Sequence, residues 1–99
     1  MDQKLRSRAA YRGHATRLIN ESNDPKFIGT LDDATRMELE SIKQKMLAKQ
    51  KTLQERDKEI EDLIADDATL DKEILDTGAY MDTISDALTN ICFKLTLPP

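Results

Sequence analysis

From Leu39 to Leu95 apolar residues recur at alternating steps of three and four. With Leu39 as position a of a heptad, the a positions are Leu39, Met46, Leu53, Ile60, Asp67, Ile74, Met81, Leu88 and Leu95. The d positions are Ile42, Lys49, Arg56, Leu63, Leu70, Thr77, Ile84 and Ile91. Thirteen of these seventeen are apolar, a fidelity that predicts helices packed lengthwise, with knobs entering holes along a seam. The ladder does not say whether the facing helix belongs to this chain or to another.

Three helices account for the pattern. A first is expected over 3–22, with Leu5, Ala9, Tyr11, Ala15, Leu18 and Ile19 on about half of its circumference. Arg8 and Arg12 share that arc, where their alkyl stems can cover apolar surface. Gly13 weakens this helix by about 1 kcal/mol relative to Ala. From Ser22 to Thr30 turn formers gather around Pro25, which drives the residue before it out of helical geometry. Phe27 and Ile28 are expected to tuck over the end of the core, and Thr30 or Asp32 to cap the next helix.

The second helix is expected over 31–65. The apolar doublets Met46-Leu47 and Leu63-Ile64 point about 100° apart and let it face two neighbours, which makes it the central helix. Asp67 at an a position would bury a charge, so a turn near 65–69 is expected, with Asp66 or Asp67 capping a third helix over 69–94. Pro98-Pro99 makes 96–99 an extended tail. At ~1.5 Å per residue the helices span roughly 30, 50 and 40 Å in chain order. Folding both neighbours back on the second makes them overlap near Glu40 to Lys51. The expected fold is all-α: an elongated antiparallel three-helix bundle with coiled-coil-like packing, one domain over 1–95.

Composition narrows the function. A 99-residue chain with 38% hydrophobic residues and no Trp promises a thin core, without room for a catalytic domain and its cleft. The 34% charged content suits long solvated helices. A lone Cys92 makes no internal disulfide, which points to a reducing compartment. Without a bilayer-length apolar run, an N-terminal signal region or a Gly after Met1, the chain is expected to be cytoplasmic.

The net charge of −4 hides an asymmetry. Between Gln3 and Asn20 stand Lys4, Arg6, Arg8, Arg12 and Arg17 and no acid, whereas Asp57 to Asp86 holds eleven acids against Lys58 and Lys72. Either the two ends neutralise each other, with Arg6, Arg12 and Arg17 pairing to acids of neighbouring helices, or the five cations bind a polyanion, RNA or an anionic membrane surface. Lys49 and Arg56 at d positions disfavour a simple parallel homodimer and call for acids opposite them, with Asp71, Glu73 and Asp76 as candidates.

No catalytic constellation is present in the sequence: His14 is the single His, and neither a phosphate loop nor metal-ligand spacing occurs. The pairs Asp32-Asp33, Glu61-Asp62 and Asp66-Asp67 read as solvated faces or caps before they read as cation sites, and His14 as a surface side chain. Cys92, between Ile91 and Phe93, is expected to be buried, and Met37, Met46 and Met81 to pack in the stripes. The expectation is a non-enzyme without catalytic, cofactor or metal residues and without a small-molecule substrate.

The stretch Lys4-Leu-Arg-Ser-Arg-Ala-Ala-Tyr-Arg-Gly-His-Ala-Thr-Arg-Leu-Ile-Asn20 resembles the N-terminal helix of Gag-like polyproteins from Bel/Pao-type retrotransposons, most tellingly over Arg12-Gly-His-Ala-Thr-Arg17. The likeness continues through the Leu39, Ile42, Leu53 ladder, Asp57-Lys-Glu-Ile60, Leu63-Ile64, and Leu70-Asp-Lys-Glu-Ile74 followed by Tyr80. Leu95-Thr-Leu-Pro-Pro99 resembles the start of the Leu-Pro-rich segment that leads, in that family, into a capsid-like region. The resemblance implies a non-enzymatic module of a particle-forming polyprotein, with protease and polymerase elsewhere.

The expected function is therefore protein–protein interaction in self-assembly, with copies of the chain or its parent polyprotein as partner. The expected interaction seam is Leu53, Arg56, Ile60 and Leu63, left uncovered by a short first helix, although Leu63→Asp is also expected to unfold a monomeric bundle. Two alternatives stand beside it: a module binding RNA or an anionic membrane through Lys4, Arg6, Arg8, Arg12 and Arg17, and a coiled-coil adaptor with one continuous helix through Asp67.

Overall fold

The computed structural model describes residues 2–96. It consists of α1 (Asp2–Ser22), a short 3₁₀ turn (Pro25–Phe27), α2 (Asp33–Leu63) and α3 (Asp67–Thr96), with no strand among the described residues. The helices pack into an all-α three-helix bundle 52 × 21 × 18 Å in extent. Of the expected tail, Thr96 belongs to α3, and the Pro98-Pro99 portion lies outside the described residues.

Each break has a local cause. Ser22 closes α1 by donating its hydroxyl to the Ile19 carbonyl at 2.7 Å. Asp24 then accepts from the Lys26 amide, Pro25 opens the 3₁₀ turn, and Gly29 takes φ of +82°, which costs other residues a steric clash. The tetrapeptide Asp-Asp-Ala-Thr starts both long helices, at 32–35 and 66–69, with the same cap. Asp32 accepts from the Thr35 amide at 2.7 Å and Asp66 from the Thr69 amide at 2.8 Å, each satisfying an amide that the first helical turn leaves without a partner. Of the alternatives at each start, Asp32 rather than Thr30 and Asp66 rather than Asp67 make the cap. The heptad runs in phase through Asp67, but the backbone does not: Ile64 is extended (φ −87°, ψ 122°), which ends α2 and excludes the continuous helix that an adaptor requires.

α2 is the spine. Leu39, Ile42, Met46, Leu53 and Ile60 are buried along it, facing Ala15 and Leu18 of α1, Phe27 and Leu31 of the connection, and Ile84, Ala87, Leu88 and Ile91 of α3. Lys4 pairs with Glu59 and Arg8 with Asp57, while Arg17 and Leu18 lie across from Lys45, so α1 runs antiparallel to α2 and its start reaches the far end of the spine. Arg36 donates to the Leu95 carbonyl, which sets α3 antiparallel as well. Phe27 and Leu31 fill the space over the first turns of α2, beyond the end of α1. The overlap of the helices thus extends past the expected Glu40 to Lys51.

Several expected core residues face solvent. Leu5 and Ala9 lie off the α1 seam, which runs through Arg8, Tyr11, Ala15, Leu18 and Ser22. That spacing alternates three and four with an Arg in the apolar series, so the covered stripe is rotated from the one the apolar residues suggest. Ile28 and Met37 are exposed because the covering of the α2 start is done by Phe27 and Leu31. Cys92 and Phe93 are exposed because Ile91 takes the inward position and its neighbours turn away by about 100° each.

Candidate functional site: an ion network and a basic groove

Of the cations on α1, Lys4, Arg8 and Arg12 pair with acids of the other two helices. Arg8 is 8% exposed and sits between Asp57 of α2, 3.4 Å from its Nη1, and Glu73 of α3, to which it also donates. One turn on, Arg12 donates to Asp76 at 3.1 Å, approaches Asp57 at 3.9 Å and stacks over the Tyr80 ring at 4.8 Å. The Tyr80 hydroxyl donates to the Arg12 carbonyl at 2.6 Å, and the Thr16 hydroxyl lies 3.0 Å from the Tyr80 hydroxyl. Thr77 donates to Glu73 at 3.3 Å. At the start of α1, Lys4 pairs with Glu59 at 2.7 Å, and Glu59 also takes Arg56 at 3.1 Å. Four cations therefore meet four carboxylates across three helices.

Burial pushes the Asp57 carboxyl above the ordinary aspartate range, while Arg12 and Arg8 pull it back. The opposite holds at the rim, where the Lys4 hydrogen bond draws Glu59 below its ordinary value. The network ties α1 to both other helices, since Arg8 and Arg12 each reach carboxylates of α2 and of α3, and a buried Arg8 deprived of these partners would be costly.

This arrangement separates the five cations nominated for polyanion binding. Lys4, Arg8 and Arg12 are paired to carboxylates of the neighbouring helices. Arg6 and Arg17 are exposed, with no ion pair among the described residues, so of the three arginines expected to pair only Arg12 does. Of the acids nominated to face Lys49 and Arg56, Asp71 is exposed without an ion pair among the described residues, and the other two have different partners. Glu73 and Asp76 go to α1, Arg56 pairs along its own helix with Glu59, and Lys49 lies over the Tyr11 ring at 5.0 Å. The physical reason is reach: Arg8 and Arg12 of α1 come within pairing distance of Glu73 and Asp76.

The nominated interaction seam also divides. Leu53 is 0% exposed and Ile60 1%, because the first turns of α1 cover this part of α2. Arg56 is half-buried and committed to Glu59. Only Leu63, at 52%, faces solvent, together with Ile74 at 49% and Leu75 at 75% on the first turns of α3.

A second feature lies on the α1–α2 side. His14, Arg17, Leu18 and Glu21 of α1 and Lys45 and Lys49 of α2 line an open groove of about 310 Å³. Tyr11 organises one wall, with the His14 ring edge-on at 6.1 Å and Lys49 above its face. Lys45 and Lys49 were not nominated from sequence. The readable signal was the stretch after Glu40 and before Glu55, which carries Lys43, Lys45, Lys49 and Lys51 and no acid.

Among the described residues no three His, Cys, Asp or Glu side chains converge to hold a metal ion, and no helix is long and apolar enough to cross a membrane. No family model, curated protein or solved structure matched the chain.

Proposed function

We propose that the protein is a non-enzymatic protein–protein interaction module that acts in self-assembly, in a cytoplasmic setting, and that its partner is a second copy of this chain or of its parent polyprotein. The reading rests on the resemblance of Lys4 to Asn20 and the following ladder to the N-terminal region of Bel/Pao-type Gag-like polyproteins. One structural observation supports it above others. At the end of the bundle closed by the α2–α3 turn, Leu63, Ile74 and Leu75 are half to three-quarters exposed. Large apolar side chains gathered at one end favour contact with another apolar surface. The seam is thus moved from Leu53 and Ile60 to this end.

Sedimentation equilibrium over a wide concentration range tests it. The expected outcome is reversible association that Leu75→Asp weakens without loss of helicity. A strict monomer at every concentration would remove the self-assembly reading.

A further inference from the structure

We infer that the groove between α1 and α2 binds the phosphate backbone of single-stranded nucleic acid, through Arg17, Lys45 and Lys49, with His14 at its wall. This site is independent of the apolar end and differs from the cation set that the sequence of the first helix suggests.

The inference starts from where the charges are not matched. The chain carries 19 acids against 15 lysines and arginines, and the cations of the network all meet carboxylates. In the groove this fails. Among the described residues, Arg17, Lys45 and Lys49 take part in no ion pair, and Glu21 is the single carboxylate of the lining. Lys45 and Lys49 are one turn apart on the same face, an arrangement that repels in an isolated helix. Arg17 of the neighbouring helix adds a third charge to the same open space. Concentrating like charge along a concave wall raises the local potential and draws in an anion.

Part of the site is also held in place without a ligand. Lys49 lies over the Tyr11 ring and the His14 ring is near-perpendicular to it, so two of the four groups contact a ring that packs against the core. Preorganisation of this kind lowers the ordering cost of binding. Cations spaced along two helices suit a chain of phosphates better than one small anion.

The surroundings select among polyanions. A membrane surface calls for exposed apolar groups beside the cations. Leu18, the apolar residue of the lining, is buried, and the exposed Leu47 is two residues from both Lys45 and Lys49 and so points about 200° around α2 from them. Three cations in an open groove of about 310 Å³ reach only a few phosphates, a footprint for a short single strand rather than for a duplex.

Fluorescence anisotropy of a labelled oligouridylate of about twelve nucleotides tests the site. Three neutralised phosphates predict a log–log salt slope of about −2 for a single strand. Arg17→Gln with Lys45→Gln should weaken binding by about tenfold or more at low salt and bring the slope to roughly −0.7. Lys72→Gln, an exposed cation of α3, should leave binding unchanged. If the double variant loses helicity, Lys45→Gln alone, exposed and outside the ion network, should still weaken binding. No binding at low salt, or a Lys45→Gln variant that binds as the parent does, overturns the inference. So does tighter, groove-dependent binding to phosphatidylserine vesicles or to poly-glutamate, which would assign the groove to a membrane or to an acidic protein.

Discussion

Arg8 and Asp57 are 49 residues apart in the chain and 3.4 Å apart in the fold, with side chains 9% and 6% exposed. Glu73 completes a three-helix junction at the same guanidinium. Removal of this buried cation leaves Asp57 with the more distant Arg12 at 3.9 Å and Glu73 with the Thr77 hydroxyl, and breaking a buried pair in this way costs about 3–5 kcal/mol. Arg8→Ala should therefore lower the urea midpoint of unfolding by a large fraction of the total stability. Arg6→Ala, two residues away and exposed, should change it little. A loss below about 1 kcal/mol for Arg8→Ala would show that the junction behaves as a solvent-screened pair.

The acids of the bundle respond to pH with opposite signs. Asp32 and Asp66 are drawn below the ordinary aspartate range by hydrogen bonds from Thr35 and Thr69, so the stability they add is present above pH 3.8 and lost as pH falls through their lowered values. Asp57 is raised by burial, so its contribution is greatest below pH 3.8 and declines as pH rises through its raised value. Stability compared between Asp57→Asn and the parent across this range should move in favour of the variant as pH rises. Movement the other way would mean that Arg12 and Arg8 outweigh the desolvation of the carboxylate. Asp66→Ala should remove part of the parent's acid sensitivity and speed hydrogen exchange at the Thr69 amide, whose acceptor it deletes.

Leu53 and Leu63 occupy a and d positions of one ladder but have different environments, at 0% and 52% exposure. An Asp at Leu53 would bury an unpaired charge in the core, whereas an Asp at Leu63 stands at the α2 end in water. Circular dichroism should show loss of helicity for Leu53→Asp and a folded bundle for Leu63→Asp. This reverses the expectation, drawn from the heptad alone, that Leu63→Asp unfolds the monomer.

Much of the architecture was legible because it depends on local chemistry. Pro25 with its polar neighbours forces a break, and two Asp-Asp-Ala-Thr sequences start two helices whatever packs against them. The seam of α2 was legible too, since Leu39, Ile42, Met46, Leu53 and Ile60 carry the period in apolar side chains. The seam of α1 was not: Arg8 stands in its apolar series, and hydropathy alone assigns such a residue to water. Nor was the basic groove, because Arg17 and Lys45 are distant in sequence and meet only when α1 folds back.

The sequence by itself thus determined where helices start and stop and which face of α2 is buried, because caps, turns and apolar periodicity act over a few residues. The tertiary structure decided which charges are spent inside the bundle and which remain outside. Charge pairing is a property of proximity between helices, and a cation's role changes from lock to ligand contact according to whether a carboxylate lies within a side chain's reach.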